Sequence, residues 1–220
     1  MLLYYITDRG QFAGSEPERQ QRLLERISRA AAAGIELVQL REKDLPARTL
    51  AQLAEAALNA IRRHGSGTRL LINSRLDVAL ACGADGVHLT STDPGPAQAR
   101  GVARLAASGR REEALLVAVS CHSVAEVRRA AEEGADLVVL APIFEKILPA
   151  RERQSGIGCE ILRQACSPAP PGKAVPVLAL GGVNLTNARA CIEAGAAGIA
   201  GIRLFQEGNL EETVRRLRAE

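Results

Sequence analysis

Four times along the chain a glycine ends a helix-like stretch and leads into a short apolar run. The four are Gly34-Ile-Glu-Leu-Val-Gln-Leu, Gly83-Ala-Asp-Gly-Val-His-Leu, Gly134-Ala-Asp-Leu-Val-Val-Leu and Gly195-Ala-Ala-Gly-Ile-Ala-Gly. Glycine suits the left-handed position that closes a helix, and the apolar run after it reads as a buried strand. The glycines stand 49, 51 and 61 residues apart, roughly two strand–helix units per interval at about 25 to 30 residues a unit. Four such pairs predict eight units.

Eight alternating units can lie open as a doubly wound sheet or close on themselves. The paired repeat and a length of 220 residues favour closure, and the expectation is one α/β domain over residues 1–220, a TIM (β/α)8 barrel. Aromatic residues make up only 2% of a chain that is 47% hydrophobic, so Leu, Ile, Val and Ala must build the core. Strands are predicted at Leu3–Thr7, Glu36–Arg41, Arg69–Asn73, Asp85–Leu89, Leu115–Ser120, Asp136–Ala141, Val175–Leu180 and Gly198–Gly201. Helices are predicted near Pro17–Ala33, Leu50–Arg63, Leu76–Cys82, Pro96–Ser108 and Val124–Glu133, with a sixth before the loop Ser167–Lys173.

A formal charge of +3, from 28 basic and 25 acidic residues spread through the helices, offers no strong field for nucleic acid or membrane. The clusters Arg62-Arg63-His64 and Arg110-Arg111-Glu112-Glu113 read as solvated helix ends or loops. Five cysteines without C-x-x-C or zinc-like spacing, and no targeting segment, point to a reducing cytoplasm. No run nears the ~20 apolar residues a membrane span needs. A homodimer is compatible with this architecture but is not written in the pattern.

In such a barrel the reactive groups sit at the carboxyl ends of the strands. Alternation after the second strand sends Gln39, Arg41 and Lys43 toward the mouth, and Leu40 and Glu42 the other way. The next strands end in Asn73-Ser74-Arg75, in His88 through Asp93, and in Ser120-Cys121-His122-Ser123. Two imidazoles beside Asn73, Ser120 and Asp93 fit ligand contact, and a neutral His122 suits a proton shuttle near pH 7. Gly181-Gly182 after the seventh strand, with Gly201 and Ile202 after the eighth, fit main-chain binding of a phosphate.

Together Tyr5-Ile6-Thr7-Asp8, Gln39 to Lys43, Ile72-Asn73, Ala84 to Leu89, Ser120 to Ser123, Pro142-Ile143-Phe144 and Gly181-Gly182-Val183 resemble, in order, the thiamine phosphate synthase family with its thiazole tautomerase (TenI-like) branch. The resemblance implies a barrel of thiamine biosynthesis whose small-molecule partner is a phosphorylated thiazole. In the synthases Gln, Arg and Lys of the second strand, with the following Asn, His and Ser, handle an aminopyrimidine diphosphate; here these are Gln39, Arg41, Lys43, Asn73, His88 and Ser120. The synthases also hold Mg²⁺ on two acids, whereas this chain has Ser74 at one position and keeps Asp93 at the other. Their Pro-Thr-x-Thr-Lys after strand six is replaced by Glu145-Lys146-Ile147-Leu148-Pro149, with Lys146, Arg151 and Arg153 as candidate substitutes. Asn73-Ser74-Arg75 and Phe144-Glu145 resemble the tautomerase branch more closely, which implies a metal-free proton shift on a thiazole carboxylate phosphate. There Arg41 pairs with the carboxylate and His122 moves the proton. The alternatives are a Mg²⁺-dependent synthase and a binding protein without catalysis.

Overall fold

The computed structural model describes residues 1–107, 115–147, 153–167 and 174–219. Eight parallel strands close into a barrel, in the order β1-β10-β9-β6-β5-β4-β3-β2. They are β1 (Leu2–Ile6), β2 (Leu37–Leu40), β3 (Arg69–Asn73), β4 (Gly86–Leu89), β5 (Leu116–Cys121), β6 (Leu137–Leu140), β9 (Val177–Ala179) and β10 (Gly198–Gly201). The predicted strands are all present, several trimmed by one or two residues where pairing stops. Closure rests on β1, which pairs with β10 from Leu2↔Gly198 to Tyr5↔Gly201 and with β2 from Tyr4↔Leu37 to Ile6↔Gln39.

The helical layer follows the sequence period closely. Helix α1 (Glu16–Ala32) starts from a capping box in which Ser15 and Glu18 satisfy each other's exposed donors. Then come α2 (Ala47–Arg62), α3 (Leu76–Cys82), α4 (Pro96–Ala107), α5 (Val124–Glu132), α6 (Gly158–Cys166), α7 (Ala188–Glu193), α8 (Arg203–Gln206) and α9 (Leu210–Arg218). The four glycines that opened the sequence argument all take positive φ: 78° at Gly34, 65° at Gly83, 85° at Gly134 and 98° at Gly195. Each is therefore the left-handed stop that frees the chain to turn back into the sheet.

Six described elements were not predicted: a 3-10 turn at Arg9–Gln11, the hairpin strands β7 (Lys146–Ile147) and β8 (Arg153–Gln154), and the helices α7, α8 and α9. All but α9 are too short for a hydrophobic period to register, whereas α9 buries Leu210, Val214 and Leu217 at helical spacing. The basic-acidic cluster at 110–113, Arg151 and most of the 167–173 loop lie outside the described residues, as do the side chains of Lys146 and Arg153. No helix among the described residues is long and apolar enough to cross a membrane.

Two cores result. Between sheet and helices, Leu23, Ile27, Leu53, Ala57, Val38, Ile72 and their neighbours form one continuous apolar layer. Inside the barrel Tyr4, Ile6, Leu37, Leu71, Ala118, Val139, Leu178 and Ala200 fill the lower tiers. Tight closure leaves no room at Gly198, where a Cβ would collide with the backbone of Leu2, whereas a Cβ at Gly34 would meet nothing within 4 Å. Gly34→Ala should therefore cost about 1 kcal/mol of backbone strain. Gly198→Ala should cost roughly 3 kcal/mol, because the closing strand must shift. Urea denaturation of the two variants measures the difference, and equal costs would contradict this account of closure.

Candidate active site

Above the apolar tiers the inward side chains turn polar and bond to one another. Gln39 Nε2 donates to Asn73 Oδ1 at 2.9 Å, and Asn73 Nδ2 donates to Ser74 Oγ at 3.1 Å. His88 lies between two hydroxyls, with Nδ1 3.0 Å from Tyr4 Oη and Nε2 2.8 Å from Ser120 Oγ. Only 2% of His88 is exposed, and burial pushes its pKa down to about 3. Both ring nitrogens of His88 are engaged by protein hydroxyls, so it sits in a bonded chain that links Tyr4 to Ser120.

On the β1–β2 side, Arg41, Glu42 and Lys43 follow directly on β2 and line one cavity, with the Glu42 carboxylate spent on bonds within the protein. Glu42 is 4% exposed; its carboxylate accepts from Thr7 Oγ1 at 2.5 Å, from the Arg9 amide at 3.1 Å and from Arg9 Nη1 at 3.0 Å. Burial raises the Glu42 pKa, and the Thr7 and Arg9 bonds oppose that rise. Thr7 Oγ1 in turn accepts from the Arg41 amide at 2.9 Å. A single carboxylate thereby ties the turn after β1 to the segment that presents Arg41. Arg9 also reaches Glu16 at 2.6 Å and Asp44 at 2.6 Å, and its guanidinium holds the Asp44 carboxyl down to about 2. Gln206 of α8 completes the tie, accepting from the Asp8 amide and donating to the Asp8 carbonyl. A cavity of about 300 Å³ opens here, with Gly10, Arg41 and Lys43 in its lining.

Across the mouth, His122 lies exposed just past β5, and its Nδ1 is 2.7 Å from the Ala141 carbonyl. A carbonyl only accepts, so Nδ1 carries the proton and Nε2 of the neutral ring keeps its lone pair. Its amide is held by Glu126 at 2.7 Å. The residue after Ala141, Pro142, is packed so closely on Gly181 that a Cβ there would lie 2.7 Å from Pro142 Cα. The Ala141-Pro142 dipeptide thus contacts the imidazole through its first residue and the glycine loop through its second.

Gly181 and Gly182 take φ of 93° and 67°, and a Cβ on Gly182 would also strike the backbone at Glu145. Only glycine fits. Asn187 fixes this loop by accepting from the Asn184 amide and donating to the Gly182 carbonyl. The amides of Gly181 and Gly182 have no acceptor among the described residues. Gly201 and Ile202, at the end of β10, lead directly into α8.

The metal-binding expectation meets a partial fit. Asp93 Oδ2 accepts from the Thr90 amide at 2.7 Å and from Thr90 Oγ1 at 2.8 Å, leaving Oδ1 for other work. Ser74 replaces the second acid and adopts a left-handed φ of 59°. No group of three potential metal ligands exists among the described residues. One carboxylate oxygen is the least that Mg²⁺ accepts when substrate phosphates and water supply the rest. Cys121 is buried, which pushes its thiol up to about 12 and removes it as a nucleophile near neutrality.

Sequence reasoning passed over Tyr4, Arg9 and Arg19 at this rim. Thr7-Asp8-Arg9 is a polar strand end like those after β2 to β5, so Arg9 had a usable signal. Tyr4 reads as apolar, and Arg19 as one more charge on a helix face.

Chemistry-bearing side chains gathered at the carboxyl rim of a closed parallel barrel define a (β/α)8 enzyme architecture. The family model described as thiamine monophosphate synthase matches residues 3–205. A thiamine-phosphate synthase of Methanoculleus marisnigri is 36% identical over 217 residues, covering 98% of this chain and 93% of that one. A protein named as a candidate thiamine-phosphate synthase in Geobacter sulfurreducens is 41% identical over 198 residues, covering 90% and 83%. Among solved structures, thiamine phosphate pyrophosphorylase from Pyrococcus furiosus superposes with a TM-score of 0.77 at 27% identity, covering 99% and 94%. The chain belongs to the thiamine-phosphate synthase family of thiamine biosynthesis.

The neutral, buried His88 has a consequence for stability. An unfolded histidine protonates near pH 6.5 whereas His88 does so only near 3, so below about 6.5 the unfolded chain binds the extra proton. Stability then falls by about 1.4 kcal/mol per pH unit from this group, and the fall ends near its folded pKa. Denaturant titrations of wild type and His88→Gln between pH 7 and pH 5 test this. The variant should show a shallower acid loss, and parallel slopes would show that His88 is not buried as a neutral ring.

Proposed function

We propose that the protein is a thiamine-phosphate synthase, joining a thiazole phosphate to an aminopyrimidine diphosphate and releasing diphosphate. The observation that carries this reading is the state of Arg41 and Lys43: neither side chain has a carboxylate partner among the described residues, although four acids line the same cavity. Relatives named as synthases over nearly the whole chain support it.

In this reaction the thiazole nitrogen lone pair forms the new C–N bond as the C–O bond to the diphosphate breaks, and the electron pair leaves on oxygen. No proton has to move for that exchange. Arg41 and Lys43 stabilise the negative charge that grows on the leaving oxygens. The open amides of Gly181 and Gly182, with Gly201 and Ile202, hold the thiazole phosphate on the far side of the mouth. Gln39 and Asn73, bonded to each other, offer their remaining amide and carbonyl groups to the pyrimidine ring. Asp93 Oδ1 would hold Mg²⁺, whose chemistry when bound is charge neutralisation of the diphosphate.

A second reading, thiazole tautomerase, rests on His122, whose Nε2 has no hydrogen-bond partner among the described residues while Nδ1 is held by the Ala141 carbonyl. There His122 takes a proton from one position of the non-aromatic thiazole carboxylate phosphate and returns it to another, with Arg41 on the carboxylate. Incubation with both synthase substrates and magnesium should yield thiamine phosphate, with Arg41→Ala reducing turnover about 10²-fold or more. His122→Ala should lower synthase turnover less than tenfold, because no proton transfer is demanded. No thiamine phosphate from folded protein, together with His122-dependent tautomerisation, would reverse the assignment.

A further inference from the structure

One donor at the β1–β2 cavity has no use inside the protein. Arg19, on the first turns of α1, lines the cavity beside Arg41 and Lys43, and its Nε is buried without a hydrogen-bond partner. Side chains on a helix lean toward its N-terminus, which carries Arg19 back toward the turn after β1. Folded proteins leave few buried N–H groups unsatisfied, and a charged one is the costliest to leave. Arg19 makes no ion pair among the described residues.

The acids around the cavity do not explain it. Glu16, Glu42 and Asp44 all bond to Arg9. Asp8 accepts from the Gly10 amide and from Gln11 Nε2. Charge is formally balanced across the lining yet unevenly spent: one arginine consumes three carboxylates, and Arg19, Arg41 and Lys43 have no carboxylate partner among the described residues. Arg41 follows directly on the carboxyl end of β2, so this space adjoins the barrel rim.

We infer that Arg19 is a further anion-binding residue, which with Arg41 and Lys43 receives the outer phosphate of the diphosphate. The inference rests on the synthase reading above. Its geometry explains why α1 is held so firmly: Arg9 bonds Glu16 on the same first turn, fixing the base from which Arg19 reaches. A planar guanidinium also suits the paired oxygens of a terminal phosphate better than an ammonium does.

The test is calorimetric titration of the full chain with inorganic pyrophosphate and, separately, inorganic phosphate. Wild type should bind pyrophosphate more tightly than phosphate. Arg19→Gln should weaken pyrophosphate about tenfold or more, Arg19→Lys should recover part of the loss, and Arg128→Gln on the exposed face of α5 should change nothing. In turnover, Arg19→Gln should raise KM for the pyrimidine diphosphate and leave KM for the thiazole phosphate within twofold. Because Arg19 bonds to no described side chain, its variants should melt within a few degrees of wild type. Pyrophosphate affinity within twofold of wild type in Arg19→Gln, or no pyrophosphate binding by wild type at millimolar concentration, overturns the inference. Arg19-dependent pyrophosphate binding without thiamine phosphate formation would keep the anion site and remove the synthase reading.

Discussion

A parallel sheet must cover both faces and dispose of both edges, and here β1 disposes of the edges by pairing with β10 on one side and β2 on the other. Everything at the rim inherits its position from that closure. Tyr4 reaches across to His88 because β1 faces β4 through the barrel interior. Thr7 meets Glu42 because the turn after β1 lies beside the turn after β2. Gly198 and Gly86 mark where strands pass too closely for any side chain.

The polar tier then sorts the chemistry by burial. His88 is buried between two hydroxyls, and that burial holds its pKa down to about 3. His122 is exposed, with one nitrogen on a carbonyl and the other without a partner among the described residues. Two imidazoles one strand apart thus have opposite capacities, set by environment alone. The carboxylates divide in the same way: Glu42 is spent on Thr7 and Arg9, while Asp93 keeps one oxygen in reserve.

Much of this was legible in the sequence, for definite reasons. Helix-ending glycines and buried apolar runs leave strong local marks, so the strand count and the barrel followed directly. What was not legible has a common cause. His88 bonds to Tyr4 and Ser120, respectively 84 and 32 residues away, and no local pattern encodes such a partnership. Arg19 looks like ordinary helix surface until the turn after β1 folds over it. The choice between synthase and tautomerase was drawn from Ser74 and the loop after β6, where relatives differ. The lining cations without a carboxylate partner among the described residues, and the relatives' names, weigh the other way.

The account's central claim is that the rim carries two separate anion stations, cationic at β1–β2 and amide-lined at β9–β10. A crystal structure of the protein soaked with thiazole phosphate and inorganic pyrophosphate tests it most directly. Two distinct phosphorus sites are predicted, one against Gly181 and Gly182 and the other against Arg41, Lys43 and Arg19. Both ligands competing for one site, or pyrophosphate absent from the β1–β2 cavity, would contradict it.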